Sequence, residues 1–122
     1  MATVRYLVRD VDAALAFYEG LGFVLSQRWG PPFAALAKGD LNLWLSGPAS
    51  SAARPMSDGS VPQPGGWNWL VIEVPDIDRA MAELAHTGAR FRSDPVKGPG
   101  GRQVLLEDPS GNPIELFEAE RA

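Results

Sequence analysis

Two indoles and a carboxylate share one side of the segment GGWNWLVIEVPD, residues 65–76. Alternate residues of a strand point to the same face, so Trp67 and Trp69 stand together with Glu73, and Leu70, Ile72 and Val74 oppose them. Flat π faces of this kind suit the stacking of a planar ligand. The same indoles could also fill a core layer or bury a dimer seam. Other chemistry is restricted by what the chain lacks. It has no cysteine and a single histidine, His86. Disulfides, thiolate metal sites and thiol nucleophiles are therefore excluded, and one chain cannot build a two-histidine relay or a His-rich metal centre. His86 falls late on a helix, outside its apolar stripe, where a histidine commonly faces solvent near the helix C-terminus.

The elements that must position these side chains come in two similar rounds. In the first, Thr3 to Val8 alternates as a strand, with Val4, Tyr6 and Val8 on one face and Thr3, Arg5 and Leu7 on the other. Asp10 suits an N-cap, and Val11, Ala14, Leu15, Tyr18 and Leu21 recur at helical spacing up to Gly20 or Gly22. Strands follow at Phe23–Arg28, Phe33–Ala37 and Leu41–Ser46, separated by the turns WGPP and Lys38-Gly39-Asp40. In the second round, Trp67–Val74 reads as a strand, Asp76 as an N-cap and Ile77–Thr87 as a helix ending at Gly88. A short strand at ARFR, a Gly/Pro loop over Pro95–Gly101, and strands at Arg102–Glu107 and Pro113–Glu118 around the turn DPSGN complete it. The rounds superpose at an offset of 66 residues: Val8-Arg9-Asp10-Val11-Asp12 falls on Val74-Pro75-Asp76-Ile77-Asp78, and Gly22 on Gly88. The fold class is therefore α+β, with two βαβββ modules at residues 1–46 and 67–122. Residues 47–66, rich in Gly, Pro, Ser and Ala, form a connection or a loop lying across something. Neither module is large enough to be stable alone, so the two must pair, within a chain or between chains.

The totals narrow the function classes. A chain of 122 residues with net charge −4 has no electrostatic reason to approach nucleic acid or an anionic membrane. No run of about 18 apolar residues exists, and the first ten residues lack the apolar stretch of a signal peptide. A cytoplasmic location fits this and the absence of cysteine.

The paired modules, with Phe17-Tyr18 and Leu21-Gly22-Phe23 early and Asp108-Pro109-x-Gly111-Asn112-x-Ile114-Glu115-Leu116 late, resemble the vicinal oxygen chelate superfamily of glyoxalase I, extradiol dioxygenases and bleomycin resistance proteins. The resemblance covers nearly the whole chain apart from residues 47–66. It implies that each module curls a mixed sheet into half of a barrel, with helices on the convex side and a concave groove facing the ligand. It also implies, for the enzymes, a divalent metal held by His and Glu on the first strand of each module and by the Glu of the closing IEL. The equivalent positions here are Thr3, Trp69 and Glu115. An indole N–H is a donor only, a threonine hydroxyl is a poor ligand, and one carboxylate does not hold a transition metal against water. No metal and no other cofactor are expected.

With Thr3 and Trp69 facing inward as the resemblance implies, strand parity gives a concave surface of Trp44, Trp67, Trp69, Phe117, Arg5, Gln103, Glu115, Thr3 and Asn42. Arg5 and Glu115 could orient a ligand or pair with each other. This matches the metal-free, antibiotic-binding branch of the resemblance, whose small, acidic, dimeric members sequester a natural product without making or breaking bonds. The expected function is thus the binding of an aromatic small molecule by a homodimer, as a self-resistance or drug-resistance protein. One alternative is a lyase, isomerase or dioxygenase-like enzyme on the same fold with Glu115 as general base. A further alternative is a protein whose aromatic face is only an oligomer contact.

Overall fold

A computed structural model describes residues 2–120. Its first half builds one four-stranded sheet from β1 (Ala2–Leu7), β2 (Val24–Trp29), β3 (Phe33–Lys38) and β4 (Leu41–Ser46), in the order β1-β4-β3-β2. Helix α1 (Val11–Gly20) connects β1 to β2. The second half builds another sheet from β5 (Leu70–Glu73), β6 (Arg90–Phe91), β7 (Val96–Gly98), β8 (Gly101–Glu107) and β9 (Pro113–Ala119), with helix α2 (Ile77–Leu84) after β5. The order is β5-β9-β8-β6, and β7 adds to the same edge of β8. In each sheet the first strand runs parallel to the last and the remaining pairs are antiparallel. This is the α+β pattern of two βαβββ modules.

Both helices start for the same local reason. The Asp10 carboxylate accepts the N–H of Ala13 at 3.2 Å, and that of Asp76 accepts Arg79 N–H at 3.1 Å. Each cap satisfies one orphan donor of the first turn and contributes about 1 kcal/mol. Their apolar stripes meet in one shared core. Val11, Ala14, Phe17 and Tyr18 of α1 lie with Leu36, Leu43 and Leu45 of the first sheet. Ile77 and Leu84 of α2 join Val104, Leu106, Ile114 and Leu116 of the second. Leu43, Leu45, Leu106 and Leu116 are wholly buried, each removing apolar area worth about 2 kcal/mol from water.

The modules pair within the chain, and a buried polar cluster joins them. Tyr18 Oη donates to Asp108 Oδ2 at 2.7 Å. The backbone N–H groups of Ser110 and Asn112 donate to Asp108 Oδ1, and Asn112 Nδ2 donates both to Asp108 Oδ2 and, across the chain, to the carbonyl of Leu7. Arg9 N–H meets Ser110 Oγ at 2.8 Å. Gly111, at φ 89°, closes the turn that aims these groups. Burial, and then the neighbouring Asp108 carboxylate, push the Tyr18 phenol well above its ordinary pKa of 10.0.

Four elements differ from the sequence reading by more than one residue at an end. The strand expected over Trp67–Val74 spans only Leu70–Glu73. Its parallel partner starts at Pro113, which has no N–H to donate, so the ladder opens one step on at Leu70↔Ile114. The helix expected to reach Thr87 ends at Leu84, where Thr87 N–H and Oγ1 both turn back to the Leu84 carbonyl, and His86 is exposed beyond its end. The Pro95–Gly101 loop contains β7, and the connection 47–66 contains a 3-10 turn at Ser51–Ala53. No helix among the described residues is long and apolar enough to cross a membrane.

Candidate functional site

Strand alternation sorts the first sheet into a core face and an open face. Leu43 and Leu45 point at α1 and are fully buried, whereas Trp44 between them is 36% exposed on the other face. Register places Arg5 directly beside Trp44, and Thr3 beside Asn42. The Arg5 guanidinium lies over the Trp44 ring, 5.2 Å from its centroid, and Nη1 donates to Ser46 Oγ at 3.0 Å. On the other flank, Ala35 opposes Trp44, and its small side chain leaves space above the sheet.

Phe33 and Trp29 extend this wall. Gly30, at φ 64°, lets β2 turn back into β3 with Trp29 opposite Phe33. Their ring centroids are 5.7 Å apart, and Phe33 meets Trp44 edge-on at 5.6 Å. Arg5, Trp29, Phe33 and Trp44, with Gln27 below and Ser50 and Ser51 from the connection, border an open cavity of about 330 Å³. That is the low end of the range for small-molecule pockets. The connection is tied down at both ends: Gly47 N–H donates to the Pro32 carbonyl at 2.8 Å, and Gly65 N–H to Asn112 Oδ1 at 2.8 Å.

The second sheet carries the other named residues on its own open face. Trp69 Nε1 donates to Glu115 Oε1 at 3.2 Å. Glu115 lies between Val71 on β5 and Leu105 on β8, and Gln103 pairs in register with Phe117. Trp67 is 81% exposed, and the Arg92 guanidinium covers its ring at 5.4 Å while Arg92 Nε binds Glu107 Oε2 at 2.7 Å. Trp67 and Trp69 both precede β5, so strand parity does not govern them. The structure thus gathers Arg5, Trp44, Thr3 and Asn42 on one sheet and Trp69, Glu115, Gln103 and Phe117 on the other. Arg5 and Glu115 do not pair with each other: each bonds within its own sheet. Sequence reading left Phe33, Gln27 and the Ser50-Ser51 step out of the site and placed Trp29 in the turn WGPP. The alternation of β3 carried a signal for Phe33, but Ser50 and Ser51 lie in a segment without periodicity.

Two βαβββ modules thus build two sheets with helices behind and open faces in front. The family model for the Glyoxalase/Bleomycin resistance protein/Dioxygenase superfamily matches residues 1–116, and the chain belongs to that superfamily. A protein of Mycolicibacterium smegmatis described as uncharacterized is 31% identical over 108 residues, covering 88% of this chain and 84% of that protein. The crystal structure of a superfamily enzyme from Burkholderia phytofirmans PsJN superposes with a TM-score of 0.81 at 21% identity, covering 97% of each chain. TnmS3, an antibiotic binding protein from Streptomyces sp. CB03234, superposes with a TM-score of 0.70 at 28% identity, covering 97% of this chain and 93% of that one.

The metal of the superfamily's enzymes does not fit the residues present. Of Thr3, Trp69 and Glu115, only Glu115 carries a ligand of suitable chemistry, and the Trp69 indole N–H already occupies one of its oxygens. Among the described residues no three His, Cys, Asp or Glu side chains gather closely enough to hold an ion.

Proposed function

We propose that this protein binds an aromatic small molecule non-covalently, and that the ligand is a natural-product antibiotic held out of circulation. The observation that carries this reading is the aromatic wall Trp29–Phe33–Trp44 beside Arg5, facing an open cavity of about 330 Å³. Phe33 meets Trp44 edge-on and Trp29 lies tilted on Phe33, so outer ring surfaces stay free to stack, and a planar guest gains both apolar burial and quadrupole contact there. The likeness to an antibiotic binding protein at 28% identity supports the ligand class. In this reading Trp69, Trp67, Glu115, Gln103 and Phe117 form a second contact surface, Thr3 and Asn42 edge the first, and residues 47–66 act as a side wall through Ser50 and Ser51. The protein works as a homodimer, which light scattering after size exclusion checks directly.

The test is a panel of aromatic antibiotics of quinone, glycopeptide and enediyne type, titrated against intrinsic tryptophan fluorescence and confirmed by calorimetry. Saturable quenching with a one-to-one limit per chain is expected from at least one class. Absence of quenching across the whole panel contradicts the reading. Against catalysis through Glu115 stands its engagement by Trp69 and the lack of a second titratable partner within hydrogen-bond reach among the described residues.

A further inference from the structure

We infer that the ligand of the first-module cavity is an anionic aromatic, one that carries a carboxylate or an ionised phenol beside its ring system, with Arg5 as the residue that selects it. The inference rests on the aromatic-binding reading above and adds the charge of the ligand.

Arg5 is the only charged side chain in the cavity lining among the described residues; the polar remainder is neutral, from Gln27, Ser50 and Ser51. Arg5 shares the lack of an ion pair with Arg9, Arg54 and Arg90 among the described residues, but of these it alone lines the cavity. Arg28, Arg79, Arg92 and Arg102 each hold a carboxylate, from Asp12, Glu83, Glu107 and Asp78 respectively. Arg9 and Arg54 donate to backbone carbonyls. Arg5 has no carboxylate within 4.0 Å among the described residues, although the chain as a whole is acidic, at net charge −4.

Its geometry leaves it ready rather than satisfied. Stacking on Trp44 uses the flat face of the guanidinium, and Ser46 takes one hydrogen bond from Nη1. A guanidinium offers five N–H donors in a planar fork that matches a carboxylate edge-on. The donors that Ser46 does not use have no protein partner among the described residues. Ser46 is fully buried, so this one bond also fixes the direction of the fork. A cationic guest would meet an uncompensated like charge here. A neutral guest would leave the fork to water. An acid attached to a ring would meet the fork while its ring lies along Phe33 and Trp29.

Matched pairs test this: 2-naphthoate against 2-naphthamide, and anthraquinone-2-carboxylate against its carboxamide, each titrated by tryptophan fluorescence and calorimetry. For the wild-type protein the acid is expected to bind at least about 10-fold tighter than the amide, with a preference that shrinks between low and high salt. In Arg5→Gln the two dissociation constants should converge, whereas Arg79→Gln, on the exposed face of α2, should keep the preference. An amide that binds as tightly as its acid, or an acid preference that survives Arg5→Gln, overturns the inference and leaves the aromatic-binding reading standing. If no member of either pair binds, the aromatic site itself fails and the inference falls with it.

Discussion

The two open faces of this molecule sit on equivalent sheets and have opposite internal chemistry. On the first, Trp29, Phe33 and Trp44 stand on strands, and the one cation among them has no anion to meet. On the second, Trp67 and Trp69 sit ahead of the strand, Trp69 is bonded to Glu115, and Arg92 is paired with Glu107. The scaffold behind them is repeated closely, down to the capping aspartates Asp10 and Asp76 and the parallel pairing of first and last strands. The repeat therefore preserves what packing and capping require and lets the faces diverge. A face whose polar groups already satisfy one another has little to offer a guest. A face with a positioned, unpaired donor fork has much.

The largest effect is expected where the faces share their support. Asp108→Ala removes the acceptor for the Tyr18 hydroxyl and for two backbone N–H groups, all buried. Chemical denaturation should show a loss of about 3 kcal/mol. If the comparison holds, acid-over-amide preference persists in whatever fraction remains folded. Next comes the first face itself. Trp44→Ala should weaken an aromatic ligand by about 30-fold, about 2 kcal/mol by calorimetry, with little change in melting temperature because Trp44 lies outside the core.

Tyr18→Phe is milder, at about 1 kcal/mol, and carries a pH signature. The folded phenol has a raised pKa, so its contribution is fully present below the ordinary value of 10.0. Above that value the unfolded chain ionises first and stability falls. Urea midpoints measured across this alkaline range should fall more steeply for wild type than for Tyr18→Phe. Smallest are the changes on the second face: Trp69→Ala a few-fold in ligand affinity, and the exposed Trp67→Ala within about twofold. Equal losses from Trp44→Ala and Trp69→Ala would erase the distinction between the faces.

Much of the scaffold was legible from local signals. Asp10 and Asp76 before apolar stripes, and LNLWLS alternating around Trp44, define elements through short-range physics, and β4 spans Leu41–Ser46 as read. The extent of β5 was not legible, because it depends on a partner: the strand cannot open opposite Pro113, about forty residues away in sequence. The end of α2 falls short of Gly88 because the Thr87 side chain closes the helix before a glycine does. Trp44 and Arg5 were legible as site candidates from alternation together with the resemblance, which says which face of the first strand turns inward. Their contact was not, since it requires the parallel register of β1 on β4. Ser50 and Ser51 reach the cavity through a segment whose path is set by the bonds of Gly47 and Gly65, which no periodicity encodes.

The four indoles, two per face, make the central claim directly observable. Each gives one side-chain N–H signal in a proton–nitrogen correlation spectrum, assignable by single Trp→Phe substitutions. On titration with anthraquinone-2-carboxylate, Trp44 and Trp29 should shift first and saturate together, ahead of Trp67 and Trp69. Saturating shifts at Trp67 and Trp69 with Trp44 and Trp29 unmoved would contradict the assignment of ligand binding to the first face.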